Sequence, residues 1–400
     1  MKTASLESVL SSLESGARPK GGVSADSGEI PSIGGEHLTS EGGFDFTNIK
    51  RVPRTFFDGM RAGRIAPLDV LVVKDGATTG KTALVDSDFP FAEAAVNEHV
   101  FCARVDPTLA SPRYVAHYLR SPWGQRAILL DFRGATVGGI SREFAVKTTI
   151  PLAPLAEQRR IADVLDRANS LRIKRRVAIG QLSRVRDALF HESFDANHAS
   201  TTIGDLVAAG SLLVHKDGNF GALYPRADDF GDVGVPFITA QAIDDAGDLV
   251  ERNIKKLSRA KAERLTFGWI EAGDVLLAHN ASVGKVAIYD GRFESALIGT
   301  SLTAFRPNRL AFLTDFLAAA LRAPAFQRQL ASNMSQTTRN QVPITAQRRL
   351  RLPSPSVEQQ EQFVRVAAAI TATIVAEQNS LTRFDALFAS LQQRAFRGDL

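Results

Sequence analysis

The sequence has little that would support a covalent framework, a membrane span or secretion. Cys102 is the one cysteine among 400 residues, which excludes an internal disulfide and a cysteine-based zinc site. No apolar run approaches the roughly 18 residues that a membrane helix needs. Residues 1–5 lack the apolar segment of a signal peptide. We therefore expect a cytoplasmic protein without a membrane segment.

The motifs of common catalytic sites are also missing. The seven histidines form no H-E-x-x-H pair, no G-x-S-x-G elbow is present, and no G-x-G-x-x-G motif opens a helix after a strand. Glu93 and Glu98 resemble a nuclease pair, but no lysine stands at a motif spacing from them. We interpret the chain as a binding protein, not an enzyme, that uses no cofactor and no metal. A nuclease with an unrecognised site is the alternative.

Residues 75–82, Asp-Gly-Ala-Thr-Thr-Gly-Lys-Thr, follow an apolar run and resemble a phosphate-binding loop. In that motif the first glycine stands five residues before the second, and here Asp75 occupies its place. An aspartate there would repel a phosphate. The matching segment Gly284-Lys285-Val286 lacks the hydroxyl that binds magnesium. The pattern predicts a tight turn between two strands that carries a lysine.

The composition is that of a folded protein with a mild basic bias. Hydrophobic residues make up 44% of the chain, and the mean hydropathy of −0.06 allows sizeable cores. Lysine and arginine total 48 against 43 aspartate and glutamate, a net charge of +5 with a pI near 9.4. Such a balance fits a nucleic-acid binder without identifying one. The length predicts two or three domains.

A proline-containing segment followed by a long helical pattern occurs twice. Residues 151–158 precede a pattern that ends near residue 194, and residues 352–359 precede one that ends near residue 396. Prolines keep the residues before them out of the helical region, so each segment predicts an extended approach to a helix. Ser356 and Gln359 also have the spacing of a capping box. The matching positions are Pro154 with Pro355, Glu157-Gln158 with Glu358-Gln359, and Phe194 with Phe396.

Within both helical patterns, apolar residues recur in heptads at steps of three and four, which predicts a coiled-coil seam. Two charged residues interrupt the series near its middle, Arg175 in the first helix and Glu377 in the second. We predict that the helices pair antiparallel and that these two residues approach each other in the seam. The alternative is two separate amphipathic helices. The seam positions are Ile161, Val164, Ala168, Leu171, Arg175, Ala178, Leu182, Val185 and Leu189, and Phe363, Ala367, Ile370, Ile374, Glu377, Leu381, Phe384, Phe388, Leu391 and Ala395.

The block of about 150 residues before each helix is repeated as well. Residues 69–73 followed by Gly80-Lys81 match residues 274–278 followed by Gly284-Lys285. Each block has short aliphatic runs first, which suit buried strands, and then helical spacing over residues 111–131 or 309–331. We predict an α/β (α+β) fold of two duplicated domains with a long antiparallel two-helix coiled coil. The predicted segments are a first domain at 1–153, a spacer helix at 154–196, a second domain at 197–353 and a second spacer helix at 354–400.

Polar and basic residues on the turns of both blocks are of the types that contact phosphates and base edges of DNA. A solvated loop is the alternative for each one alone, and the shared placement on a duplicated scaffold favours the set. The candidates are Lys20, Lys74, Thr78, Lys81, Arg133 and Arg142 in the first block, and Lys216, Asn219, Arg226, Asn280, Lys285, Gln336, Arg339 and Asn340 in the second.

Three segments resemble type I restriction–modification specificity (S) subunits. They are Pro-Leu-Ala-Pro-Leu-Ala-Glu-Gln-Arg-Arg-Ile-Ala at 151–162, the terminal segment at 390–400, and the turn at 73–81. With the duplication, the resemblance covers nearly the whole chain. It implies a DNA-binding, non-catalytic subunit in which each block is a target-recognition domain for one half of a split target. The two helices would then set the gap, and methyltransferase (M) and motor-nuclease (R) subunits would dock around them.

The resemblance leaves two alternatives open. One is a specificity-like subunit of another phage-defence methylation system. The other is a coiled-coil scaffold that joins protein partners without reading DNA.

Overall fold

The computed structural model describes residues 2–20, 22–24, 28–134, 138–194, 199–334 and 340–400. The chain divides into two compact units, each with its own core. The first unit comprises Met1–Arg176 and Asn379–Leu400, and the second comprises Val177–Gln378. Each unit therefore contains one block and one half of each long helix.

Twenty short strands are assigned in the described residues. In the first unit they are β1 (Lys2–Ser5), β2 (Leu10–Ser15), β3 (Ile30–Ile33), β4 (Lys50–Val52), β5 (Val70–Val73), β6 (Thr82–Leu84), β7 (Ala95–Val96), β8 (Val100–Val105) and β9 (Thr149–Leu152). In the second they are β10 (Ser200–Thr202), β11 (Leu212–Asp217), β12 (Phe230–Gly231), β13 (Val235–Ile238), β14 (Lys255–Leu257), β15 (Trp269–Ile270), β16 (Val275–Ala278), β17 (Val286–Ile288), β18 (Ala296–Ile298), β19 (Leu302–Pro307) and β20 (Arg351–Pro353).

The described residues also form eleven α-helices. The first five are α1 (Arg54–Gly59), α2 (Pro112–Arg120), α3 (Pro122–Leu129), α4 (Glu143–Lys147) and the long α5 (Leu155–Phe194). The others are α6 (Ile203–Ala208), α7 (Arg259–Ala262), α8 (Thr314–Arg322), α9 (Pro324–Ser332), α10 (Ile344–Gln347) and the long α11 (Val357–Arg397). Short 3-10 helices include Gly35–His37, Ala240–Ala242 and Glu251–Asn253.

The sheets of the two units repeat the same strand order. The first unit has an antiparallel sheet β2-β8-β5-β6, a sheet β4-β3-β7 and the pair β1-β9. The second unit has β11-β19-β16-β17, a sheet β12-β14-β13-β18-β15 and the pair β10-β20. In both units the second sheet contains one parallel pair, β3 with β7 or β13 with β18. The predicted duplication is thus present in the topology, with β12 and β15 added in the second unit.

Strand β5 is apolar throughout because its sheet is covered on both faces. Side chains alternate between the faces of a strand. Val70 and Val72 face a core shared with α2 and α4, whereas Leu71 and Val73 face the core under the second sheet. Strand β16 divides its residues between two cores in the same way. The two aliphatic runs are buried strands, as predicted.

Each central strand follows a buried aspartate paired with an arginine on the neighbouring strand. Arg104 donates from Nε and Nη2 to the two carboxylate oxygens of Asp69, both at 2.8 Å. Arg306 holds Asp274 in the same bidentate way at 2.7 and 2.8 Å. A buried carboxylate needs such a partner because desolvation of an unpaired charge is costly. Cys102 donates its thiol to Asp69, and burial raises the pKa of that thiol.

The helical spacing over residues 111–131 belongs to two helices rather than one. Helix α2 ends at Arg120, and α3 begins at Pro122. Proline disfavours helical backbone at the residue before it, and Ser121 is extended, with its hydroxyl accepting from the Gly124 amide. The same break separates α8 from α9 at Ala323-Pro324.

Both long helices lie where the sequence predicts them, and they pack together antiparallel. Residues of the early part of α5 meet the late part of α11 in the first unit, where Arg172 donates to Asp385 at 2.6 Å. The late part of α5 meets the early part of α11 in the second unit, where Phe194 packs on Phe363. The predicted capping box is present, since Gln359 N donates to the Ser356 hydroxyl at 3.3 Å. The predicted fold class is confirmed.

Two positions of the predicted seam are wrong. Leu171 and Val185 are 48% and 54% exposed. A straight helix drifts by about 20° per heptad relative to a seven-residue repeat, so a seam read from sequence leaves the contact face over four heptads. Arg175 lies in the first unit, with its guanidinium 5.8 Å from the ring of Phe384. Glu377 belongs to the second unit, and its approach to Arg175 stays a prediction.

A buried polar cluster joins the first block to the long helices. His117 of α2 contacts Asp166 of α5 through Nε2 at 2.6 Å, and its Nδ1 lies 3.1 Å from Arg120 Nη2. Arg120 can only donate, so Nδ1 accepts and Nε2 carries the proton of a neutral imidazole. Burial lowers the pKa of His117 to about 4, and the Arg120 guanidinium acts in the same direction. Arg113 also donates to Asp166, at 2.6 Å.

In the second unit, aromatic rings form the corresponding joint, which is the contact between the block and the long helices. Phe190 and Phe194 of α5 pack against Phe316 of α8 and Phe363 of α11, with ring centroids 5.0–5.6 Å apart. The first block also packs on α11 through Tyr114 and Tyr118, which contact Phe396, so its polar cluster is added to an aromatic contact.

We expect the free energy of unfolding to fall as the pH is lowered from about 6.5 to about 4. His117 has a folded pKa below its unfolded value of about 6.5, so the unfolded chain takes up the proton first. The contribution of neutral His117 to the free energy of unfolding is complete above about pH 6.5 and is lost as the pH falls toward about 4. Urea unfolding of His117→Gln should show a shallower pH dependence than the wild type over this range. An identical slope would contradict a buried neutral histidine at this position.

Candidate nucleic-acid interface

The predicted turns lie along one edge of each four-stranded sheet. In an antiparallel sheet, the ends of β2 and β5 lie beside the starts of β8 and β6. The Lys74 amide donates to the carbonyl of His99 at 2.8 Å, and the Ile140 amide donates to the carbonyl of Lys74 at 2.7 Å. We call residues 16–20, 74–81, 97–99, 133–134 and 138–142 the first polar edge. The equivalent second polar edge comprises residues 217–219, 279–285, 299–301 and 340–342.

The segment that resembles a phosphate-binding loop is a hairpin turn within this edge. Strands β5 and β6 pair antiparallel, with Val72 opposite Thr82. The turn closes where the Gly80 amide donates to the Val73 carbonyl at 2.8 Å, and Gly80 has a φ of 86°, which favours glycine. A strand follows the turn where a phosphate-binding loop would have a helix. The predicted strand-to-strand turn is confirmed.

The hairpin turn packs against the polar segment that follows α3 or α9. In the first unit, Asp75 and Arg133 both bridge to Gly139. In the second unit, Asn280 bridges to Gln341, and the Ala281 amide donates to the Asn340 carbonyl at 3.3 Å. The candidates Lys74, Thr78 and Arg133 therefore share one edge, and Asn280 and Asn340 share the other. Gln336 and Arg339 lie outside the described residues.

Three of the candidate lysines are partly occupied by contacts within the fold. Lys81 Nζ lies 3.4 Å from the Leu38 carbonyl, and Lys285 Nζ lies 3.0 Å from the carbonyl of Ile243. Lys285 also pairs with Asp245 at 2.8 Å. Both lysines thus hold a loop of the second sheet against the hairpin. Lys74 is half-buried, with Nζ 3.5 Å from the Glu98 carbonyl.

Among the remaining described candidates, Thr78 and Asn280 are half-buried and the others are exposed. Arg133 is exposed but pairs with Asp131 at 3.0 Å. Asn219 accepts from the Gly221 amide at 3.2 Å and shapes its own turn. The loop of Arg226 approaches the second edge, because the Thr300 hydroxyl donates to the Tyr224 hydroxyl at 3.5 Å. The other exposed candidates are Lys20, Arg142, Lys216 and Asn340.

The first edge also contains a group of paired side chains that the candidate set missed. Arg18 Nε contacts Glu98 at 2.8 Å, and His99 contacts Asp75 at 2.6 Å and Glu98 at 3.4 Å. The signal in the sequence was the basic turn Arg18-Pro19-Lys20, which has no counterpart in the second block. Glu93 pairs instead with Arg54 at 2.8 Å, so the two acids considered as a nuclease pair have different cation partners.

Asp131 fixes the conformation of the polar segment in the first edge. Its buried carboxylate accepts from Lys147 Nζ at 2.5 Å and from the amide and hydroxyl of Ser141 at 2.8 and 2.7 Å. Burial acts to raise the pKa of Asp131, but these hydrogen bonds outweigh burial and hold the pKa far below its usual range. The ionised carboxylate therefore anchors both ends of the loop that presents Arg133 and Arg142.

The two units differ in how their basic residues are neutralised. Lys50, which begins β4, pairs with Glu36 at 2.8 Å. The corresponding residue Lys255 begins β14, and Gln241 takes the place of the acid. The amine of Lys255 lies over the ring of Phe230, 5.6 Å from its centroid. The second unit therefore keeps a positive charge that the first unit pairs.

Comparison with known proteins shows which proteins this chain resembles. Residues 220–394 match the profile described as the type I restriction modification DNA specificity domain. The chain is 23% identical over 335 residues to the EcoBI specificity subunit of Escherichia coli, covering 77% of this chain and 69% of that protein. It is 23% identical over 397 residues to the StySPI specificity subunit of Salmonella potsdam, covering 93% and 82%. The chain is therefore similar to type I restriction–modification specificity subunits over most of its length.

Solved structures share the fold of this chain along its whole length. A chain from a study of complex assembly and conformational transition of the type I R-M system matches with a TM-score of 0.61 at 18% identity, covering 100% of this chain and 98% of the other. The S subunit of M. genitalium matches with a TM-score of 0.57 at 15% identity, covering 99% and 96%. In the described residues, every helix is too short or too polar to cross a bilayer.

We expect Asp131→Asn to loosen the first polar edge. The amide cannot accept from Lys147 and Ser141 as an ionised carboxylate does, and loss of charged hydrogen bonds costs about 1.5–3 kcal/mol each. Hydrogen exchange of the amides of residues 139–141 should accelerate. Glu143→Gln, an exposed acid on α4, is the matched control and should leave the exchange unchanged. Equal protection in both variants would contradict the anchoring role.

Proposed function

We propose that this chain is the DNA-reading subunit of a type I restriction–modification complex and that each polar edge reads one half of a bipartite target. One observation supports the proposal above the others. Both units have the same scaffold, but they carry different side chains at the equivalent polar edge. A split, asymmetric target requires two different readers on a common frame. The proposed target-recognition domains are residues 1–153 and 197–353, and the proposed spacer helices are residues 154–196 and 354–400.

The differences between the edges lie in groups that read bases. Lys74 and Asp75 of the first hairpin correspond to His279 and Asn280 of the second, since each pair directly follows its central strand. Asparagine offers a donor and an acceptor together, whereas aspartate only accepts. Base edges in the major groove are distinguished by such patterns. The two edges therefore favour different half-sites.

The long helices support the proposed docking of methyltransferase (M) and motor-nuclease (R) subunits. Apolar side chains on α5 stay uncovered by the chain itself, with Leu171 48% and Ile173 42% exposed in the first unit. In the second unit, Val366 and Val375 of α11 are 44% and 49% exposed. Exposed apolar residues along a helix favour a protein partner. Under this proposal, methylation and cleavage are carried out by the partner subunits, and this chain contributes no catalytic group.

The length of the helices fits a spacer. Helix α5 contains 40 residues and is about 60 Å long at about 1.5 Å per residue. One turn of DNA is about 34 Å. A pair of such helices is therefore long enough to set a gap of about one turn or more between two half-sites.

Single-molecule methylome sequencing of the host, with and without this gene, tests the function directly. We expect one split adenine-methylation motif to disappear when the gene is deleted and to return with the gene supplied in trans. Replacement of residues 1–153 by the equivalent block of a related subunit is the second arm. It should change one half of the motif and leave the other. No change on deletion would contradict DNA reading, and a change in both halves would contradict separate readers.

A further inference from the structure

Arg18 has a position at the first polar edge that no residue of the second edge shares. It lies in the loop after β2, is 60% exposed, and contacts Glu98 Oε1 through Nε at 2.8 Å. Glu98 stands two residues before β8, and the residue two before the equivalent strand β19 is Thr300. The second unit therefore has no carboxylate at this position to hold an arginine.

Glu98 is itself held at several points. Its side chain is 29% exposed, and its Oε1 lies 3.4 Å from His99 Nε2. Its main-chain carbonyl accepts from the Ser15 hydroxyl at 3.4 Å and from Lys74 Nζ at 3.5 Å. Ser15 ends β2, so these contacts tie Glu98 to two strands. The main chain of Glu98 is therefore held in place, and its carboxylate contacts Arg18 at Nε, which restricts the positions open to the guanidinium.

The remaining nitrogens of Arg18 are available for recognition. The contact with Glu98 is made through Nε on a side chain that is 60% exposed, which leaves Nη1 and Nη2 at the outer end of the guanidinium. These atoms form the two-donor fork that matches the O6 and N7 acceptors of guanine. The contact with Glu98 also offsets the positive charge, which weakens attraction to a phosphate. A neutral base edge with two acceptors is then the better partner.

We propose that Arg18 reads a guanine in the half-site recognised by the first unit, with Glu98 as its positioning residue. The inference rests on the proposed function and names a residue that determines its specificity. It applies to one half-site, because the second edge lacks the pair.

The test uses the complex with its methyltransferase partner and duplexes that carry the motif found by methylome sequencing. Each base pair of the first unit's half-site is replaced in turn, and binding is measured by competition. With Arg18→Gln, we expect discrimination at one G·C pair to fall by about 5-fold to 150-fold, the equivalent of about 1–3 kcal/mol for a bidentate contact. Preferences at the other positions and in the second half-site should stay the same.

Two further variants separate reading from general binding. Glu98→Gln keeps an acceptor for Nε but loses the charge, so it should weaken the same position by a smaller factor. Lys20→Gln, on the exposed turn two residues away, should lower affinity about equally for all duplexes, as loss of a phosphate contact does. Equal thermal unfolding midpoints would show that the variants fold.

Three results would overturn the role of Arg18. They are a uniform loss of affinity with Arg18→Gln, unchanged discrimination at every position, and a first half-site that contains no G·C pair. A wild-type complex without sequence preference would instead contradict the proposed function itself, and this inference with it.

Discussion

The buried pairing of an aspartate with an arginine at the start of the central strand sets the geometry of each unit. Asp69 and Asp274 are 0% and 1% exposed, and each binds an arginine of the adjacent strand with two hydrogen bonds. A buried aspartate is stable only when its arginine lies within hydrogen-bonding distance. The pairing therefore fixes the register between the central strand and its neighbour. The turns at the other end of those strands are then presented along one edge. The polar groups of the candidate interface depend on this register.

The two units share one backbone scaffold but differ in the side chains along its polar edge. The two tethering lysines, Lys81 and Lys285, reach equivalent carbonyls in the two units. The hairpin residues beside them differ, and so does the joint to the long helices, which is polar around His117 and aromatic around Phe316. Such a design lets the side chains at one edge change without disturbing the core. The proposed function, with two independent readers, would require such an arrangement.

Periodic features could be predicted from the sequence, and contacts between distant residues could not. The long helices, the cap at Ser356 and the buried strands each produce a local pattern that one segment contains in full. The support of Arg18 by Glu98 joins residues 80 positions apart in the sequence, and no spacing indicates it. The seam was predicted less well because a heptad series does not show how the helix face rotates over forty residues. The candidate set therefore includes residues of both polar edges and omits the pair of Arg18 with Glu98.

Site-directed cross-linking of the complex to its DNA target tests most directly whether these edges face DNA. Cysteines at Thr78 and Asn280 would carry a photoactivatable group, with Thr108 and the 89% exposed Leu310 as controls at the opposite ends of the same sheets. Native Cys102 is buried and should stay unmodified. We expect cross-links from positions 78 and 280, each to a different half-site, and none from 108 and 310. Cross-links from the control positions alone would contradict the account.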